Sequence, residues 1–190
     1  MNSLKLKYLQ NIKFPAEILS NLRVIGEYKG KEELYNKQSP DALEKLLENA
    51  IIQSTESSNR IEGVSAPHKR IEMIVKANIK PRNRSEQEIA GYRDILKLIH
   101  ESHKDIPISE NVILQFHSML YRHTGIKSGF WKKTDNLIVD KNPDGAQKIR
   151  FRPVSAHNTP QSMNQLIHLY TDYGEKQSYD SLILIPLFIL

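Results

Sequence analysis

Ser58 and Glu62 stand four residues apart in the run Ser-Asn-Arg-Ile-Glu-Gly at positions 58 to 63. On a helix that spacing puts both side chains on one face. The run closes an apolar segment and stops at Gly63, so it offers a carboxylate at a helix end. A Glu beside a terminal Gly is most often merely solvated, and the spacing alone assigns it no role. A second feature is a change of period further along. Asn136 to Asp140 and Gln147 to Arg152 are short β-favouring runs that flank Asn142-Pro143-Asp144-Gly145, a strong turn signal, and together they predict a β-hairpin. A lone two-stranded ribbon cannot bury both faces, so its edge groups are available to pair with an extended peptide.

Other chemistries are missing from the sequence. The 7 histidines include no His-Glu-x-x-His pair, and His100 with His103 reads as a polar helix end, so no metal site is expected. There is no Gly-x-x-x-x-Gly-Lys phosphate loop, no Gly-x-Gly-x-x-Gly and no Gly-x-Ser-x-Gly nucleophile turn. With no cysteine in 190 residues, thiolate catalysis and disulfides are excluded, which suits a reducing compartment, the cytoplasm. Lysines at positions 5, 7 and 13 break the N-terminal apolar stretch that a signal peptide would need. The longest apolar run, Leu182 to Leu190, contains Pro186 and is about half of what a bilayer requires. The net charge of +5 permits an acidic partner. Lys and Arg are nonetheless interleaved with Glu and Asp along the whole chain, the pattern of a solvated surface, which argues against nucleic acid.

The residues of interest must be positioned by helices. An extended lead-in is expected up to Phe14-Pro15. From Ala16, residues Ile18, Leu19, Leu22, Ile25 and Tyr28 recur at helical spacing, with Gly26 and Gly30 weakening the end. Ser39 as N-cap and Pro40 in the first turn then open a stronger helix, striped by Leu43, Leu46, Leu47, Ala50 and Ile51. A shorter helix is predicted from Pro67 to about Ala77, capped by Ser65. Ser85 and Glu88 have capping-box spacing, and the helix they open carries Ile89, Tyr92, Leu96 and Ile99. Ser109 caps another, which Gly125 ends. After the hairpin, Thr159 and Pro160 start a helix bearing Met163, Leu166, Ile167 and Tyr170, and a last one begins near Asp180. The fold class is all-α with one β-hairpin, and a chain of this length predicts one continuous core.

Several of these blocks together resemble the Fic family of protein adenylyltransferases. The stretch Ala50 to Gly63 is similar to the family's inhibitory helix, with Ser58, Glu62 and Gly63 in the positions of its short pattern. Glu86 to Leu96 is similar to the first core helix of the family. Gly129 to Asn136 resembles the approach to its target-binding flap, and Ile149 to Pro153, with Pro160 and Met163, the flap's return. Asp180 to Leu190 resembles the apolar helix that leads into the active-site signature His-Pro-Phe-x-x-Gly-Asn-Gly-Arg. That signature does not occur in these 190 residues; the family pattern would begin it a few residues beyond Leu190.

The resemblance implies a Fic-like helical bundle. It implies a division into an N-terminal region over 1–80, with the inhibitory helix at about 40–63, and the front of the core over 81–190, with the flap at about 134–153 and the C-terminal part incomplete. It also implies transfer of AMP from ATP, with Mg2+, to a hydroxyl of a target protein. Glu62 would occupy a guanidinium that the ATP γ-phosphate needs, and Ser58 would help hold the helix. Asn136, Leu137, Ile138, Val139, Ile149, Arg150 and Phe151 would form the flap that aligns the target. With no catalytic residue and no metal ligand of its own, the chain is expected to be inactive alone and to bind neither ATP nor Mg2+ strongly. The final helix, apolar nearly all round, is expected to drive association of copies unless a partner covers it. Two other readings compete. A small inhibitory partner could insert Glu62 into a separate catalytic subunit, though this chain also carries the flap. A basic helical nucleic-acid binder is allowed by charge, but no recognition helix supports it.

Overall fold

The computed structural model describes residues 3–38, 40–77, 79–141 and 147–189. Among them the elements run α1 (Leu6–Leu9), α2 (Ala16–Gln38), α3 (Pro40–Ile61), α4 (His68–Ala77), α5 (Arg84–Ser102), a 3-10 turn (His103–Asp105), α6 (Glu110–Tyr121), β1 (Ile138–Lys141), β2 (Gln147–Phe151), α7 (Thr159–Glu175) and α8 (Ser181–Ile189). The expected class, helical with one antiparallel hairpin, is what the chain adopts. Ser39 and the turn Asn142 to Gly145 lie outside the described residues.

The chain forms two compact units, one made of Met1–Lys13, Ile108–Asn111 and Phe130–Leu190, the other of Phe14–Pro107 and Val112–Gly129. Each has its own apolar cluster, so the single continuous core expected from chain length is replaced by two. In the first unit Leu4 and Leu9 meet Leu184 and Leu187 of α8, with Leu166, Tyr170 and Phe188 packed around them. The lead-in expected to be extended therefore contains a helical turn, α1, because Leu4 and Leu9 are drawn into this cluster. The Ser3 hydroxyl donates to the Leu187 carbonyl near the end of α8, answering a carbonyl that the helix itself leaves open. Asp180 Oδ1 accepts the Leu182 N–H at 2.8 Å and so caps the start of α8. In α7 the cap position belongs to Asn158, one residue before the expected Thr159, whose hydroxyl donates to the Ser155 carbonyl at 2.8 Å.

In the second unit Ile71 and Ile74 of α4 pack on Ile89 and Ala90 of α5, with Val64, Ala66, Val75 and Ile79 at the margin. The Arg70 and Ile71 N–H groups donate to the Pro67 carbonyl at 2.7 and 3.1 Å, so Pro67, expected as the first helical residue, stands in the cap position expected for Ser65, and α4 begins at His68. The box that opens α5 is likewise displaced from Ser85 and Glu88. Asn83 Oδ1 accepts the Glu86 N–H at 3.0 Å, and Glu86 Oε2 accepts the Arg82 N–H at 2.8 Å, a variant of the box two residues earlier in which the carboxylate reaches the residue before the cap. Glu88 instead pairs with Arg84 at 2.9 Å. Where α5 crosses α6, a Cβ on Gly91 would sit 2.1 Å from the Leu120 carbonyl oxygen, so only glycine permits that approach.

Two helices depart from their expected faces. The buried side of α3 is Ile52, Thr55 and Asn59, while Leu46 and Leu47 of the expected stripe are exposed. The helix has turned the small polar residues of its second half inward, and Ser54 and Ser58 meet the Tyr92 hydroxyl of α5. The other departure is α2, which runs through Gly26 and Gly30 to Gln38. Its Ile18, Leu19, Ile25 and Tyr28 stay exposed, because nothing in the unit lies over that face.

Candidate functional site

The last turn of α3 is built by local rules. Gly63 has a φ of +77°, the left-handed conformation in which glycine is strain-free. The Gly63 N–H donates to the Arg60 carbonyl at 3.1 Å and the Val64 N–H to the Asn59 carbonyl at 2.9 Å. These are the two bonds of a Schellman ending, in which Glu62 is the C-cap residue. Its side chain is exposed, and no ion pair or side-chain hydrogen bond of Glu62 occurs among the described residues. Of the neighbouring acids, Glu56 is engaged at 2.6 Å with His68 Nδ1, and that hydrogen bond raises the imidazole above its ordinary value.

Ser58 is half-buried, and its Oγ accepts a hydrogen bond from the Tyr92 hydroxyl of α5 at 3.0 Å. Ser54, one turn earlier, lies 3.3 Å from the same hydroxyl. Asn59 donates to the Thr55 carbonyl at 2.7 Å. The sequence-predicted trio Ser58, Glu62 and Gly63 thus sits together on one helix end, with Ser58 held by a residue the sequence did not nominate. Tyr92 was legible only as one member of an apolar face, and nothing in its local spacing announces a hydroxyl contact 34 positions away.

The same unit contains two further ionic clusters. Glu86 is only 4 % exposed and accepts from Arg70 Nε at 3.0 Å and Nη2 at 2.6 Å. The Arg70 hydrogen bonds, with help from the Arg82 N–H, pull its carboxyl down to about 2 against the cost of burial. Asp94 accepts from Arg93 Nε at 2.9 Å and lies 2.8 Å from His123 Nε2. Burial pushes the Asp94 carboxyl up, but the hydrogen bonds with His123 and Arg93 outweigh it and hold it below the usual range. Arg93 also donates to the Ile74 carbonyl at 2.7 Å, tying α5 to α4. Both clusters join helix to helix.

The hairpin belongs to the other unit. Ile138 pairs with Phe151, Val139 with Ile149, Asp140 with Lys148 and Lys141 with Gln147, and the register shifts between Ile138 and Val139. That shift leaves Arg150 as the extra residue of a bulge, its guanidinium 3.7 Å from Asp140. Of the predicted flap residues, Asn136, Leu137, Ile138, Ile149, Arg150 and Phe151 are exposed and Val139 is half-buried. Just before the ribbon, Asp135 Oδ1 accepts the Ala156 N–H at 2.6 Å, and Lys132 reaches Asn136, so the stem is tied while the strands stand clear. Among the described residues the sheet has two strands, which leaves outer edges to pair with another segment.

Among the described residues no group of three His, Asp or Glu side chains stands where it could hold a metal ion, and no helix is long and apolar enough to cross a membrane. No family model matches the chain, and no curated protein matches it. Among solved structures, the chain is similar to the crystal structure of a Fic domain containing signaling protein from Bacteroides thetaiotaomicron, with a TM-score of 0.65 and 19 % identity. The match covers 83 % of this chain and 62 % of that one. At that identity the likeness is one of fold, and the helical architecture with one hairpin is Fic-like.

Proposed function

We propose that these residues form the front part of an autoinhibited Fic-type protein adenylyltransferase, which transfers AMP from ATP to a hydroxyl of target proteins. The observation that carries the reading is the helix end at Glu62: in a Fic-like fold, a Schellman turn presents an exposed carboxylate with no partner among the described residues. A carboxylate and a phosphate compete for the same guanidinium, because both accept from its planar fork of donors. Glu62 is the competitor, Gly63 sets the turn that carries it, and Ser58 fixes the helix behind it. The hairpin residues Asn136 to Val139 and Ile149 to Phe151 align an extended target segment by strand pairing, which explains why they are exposed on a tied stem.

The complete protein would use ATP and Mg2+. In this reading the groups that hold the triphosphate and magnesium belong to the His-Pro-Phe signature, which does not occur in these 190 residues. The part these 190 residues play in the reaction is then regulation and target alignment, and transfer itself needs the signature. The absence of cysteine supports a cytoplasmic setting, and the exposed stripe of α8 supports association of copies.

The test is Glu62→Gly in a protein carrying this chain together with the His-Pro-Phe signature. ATP turnover and self-modification should rise by roughly tenfold to a hundredfold, the span of a charge-assisted hydrogen bond. An unchanged rate would remove the autoinhibition. Absence of that signature from the coding sequence downstream of Leu190 would remove the enzymatic reading altogether.

A further inference from the structure

Where Glu62 points depends on how the last two turns of α3 are held. Very little apolar surface holds them. Ile52 is 5 % exposed, but the other buried side chains on that face are Thr55 at 0 % and Asn59 at 6 %, both polar. The Asn59 amide is spent inside its own helix on the Thr55 carbonyl. Thr55 Oγ1 is buried and has no hydrogen-bond partner among the described residues. Among the described residues, two side-chain ties leave these turns for another element. One is the pair between Glu56 and His68 of α4, exposed on the histidine side, where water and salt weaken it. The other is the hydroxyl of Tyr92.

A tyrosine hydroxyl has one proton and can both donate and accept. Tyr92 donates to Ser58 Oγ at 3.0 Å, so the contact with Ser54 Oγ at 3.3 Å is one in which it accepts. The three hydroxyls then form a directed chain, Ser54 to Tyr92 to Ser58, in which each bond polarises the next. The chain ends one turn before Glu62, on the same helical face, since Ser58 and Glu62 are four residues apart. Tyr92 is carried by α5, the helix whose Ile89 and Ala90 form the unit's core. The hydroxyl therefore connects the helix that carries Ile89 and Ala90 of the unit's core to the last turns of α3.

We propose that Tyr92 is the positioning residue for Glu62: through Ser58 its hydroxyl fixes the last turn of α3 and sets the strength of inhibition. This rests on the autoinhibition reading for its functional meaning, though not for its mechanical one. The tie consists of neutral hydrogen bonds, each worth about threefold to tenfold in an opening equilibrium, so it is a latch that can release.

The mechanical arm is amide hydrogen exchange on this chain. Tyr92→Phe removes one oxygen and should speed exchange at the Gly63 and Val64 amides by about threefold to tenfold, leaving those of Ile89 and Ala90 unchanged. Ser58→Ala should behave alike, the double variant should be no faster than the faster single one, and Ser58→Thr, which keeps the hydroxyl, should restore protection. Unchanged exchange at Gly63 and Val64 in Tyr92→Phe, or equal acceleration throughout α5, would overturn the proposal. The functional arm uses the signature-bearing protein. Tyr92→Phe should raise ATP turnover part of the way toward the Glu62→Gly level and add nothing on a Glu62→Gly background. If Glu62→Gly raises turnover and Tyr92→Phe does not, the positioning role fails while autoinhibition stands. If Glu62→Gly is silent, autoinhibition fails, and the exchange arm alone decides whether Tyr92 holds the turn.

Discussion

Arg70 and Glu86 face each other with the guanidinium donating from Nε and Nη2, and the carboxylate also closes the start of α5 by accepting the Arg82 N–H. A charge so buried is tolerable only while its partners are in place. Arg70→Met strands the carboxylate and should lower the unfolding free energy by about 3 to 5 kcal/mol, read from urea denaturation. Glu86 also makes stability depend on pH. Its carboxyl falls from 4.5 when free to about 2 when folded, so between those values the unfolded chain binds the extra proton and stability rises with pH. The contribution is complete above 4.5 and disappears as the pH falls through 2. Glu86→Gln should flatten the acid limb of a stability profile, and an acid limb as steep as before would show that other carboxylates set it.

At the scale of the helix, Gly91 makes a claim against propensity. Alanine is the better helix former by about 1 kcal/mol, yet its Cβ would lie 2.1 Å from the Leu120 carbonyl oxygen and 2.7 Å from the Leu120 carbonyl carbon. Backbone cannot rotate away as a side chain can, so α5 and α6 would have to separate. Gly91→Ala should therefore destabilise by about 1 to 3 kcal/mol, and a denaturation midpoint equal to or above that of the parent would refute the close crossing. The contrast with the helix ends explains what could be read from the sequence. Pro40, Gly63 and Pro160 mark their positions because turn chemistry is a property of one or two residues, and the structure puts each at an end. The two strands were equally legible, since their β-favouring runs and the turn signal between them are contiguous in sequence. The buried face of α3 was not: Leu46 and Leu47 dominate a hydrophobicity reading, yet Thr55 and Asn59 are the buried ones, because the helices that pack on α3, α4 and α5, lie elsewhere in the sequence. The Arg70–Glu86 pair, 16 positions apart, and the split of the core into two clusters depend on the same long-range information. At the site, Ser58, Glu62 and Gly63 are singled out by the family resemblance and not by spacing, while the residue whose hydroxyl meets Ser58 is singled out by neither.

For the molecule as a whole, the consequence lies in α8. Its nine residues divide into two faces: Leu184 and Leu187 turn inward against Leu4 and Leu9, whereas Leu182, Ile185 and Ile189 form an i, i+3, i+7 stripe that stays exposed. The helix is apolar on both sides, but only one side is used within its unit. Covering each exposed leucine or isoleucine is favourable by up to about 1.5 to 3 kcal/mol, enough for the stripe to seek a second surface. Copies of this chain should associate with rising concentration in sedimentation. Leu182→Lys with Ile185→Lys should return them to the 22.0 kDa monomer. The substitutions should leave the thermal midpoint nearly unchanged, because the inward pair is untouched and a lysine on a solvated helix face costs little. A parent chain that sediments as a monomer at every concentration would contradict this use of α8. A double variant that loses its thermal transition would show instead that the stripe is needed within the fold, and that the face belongs to the chain's own core.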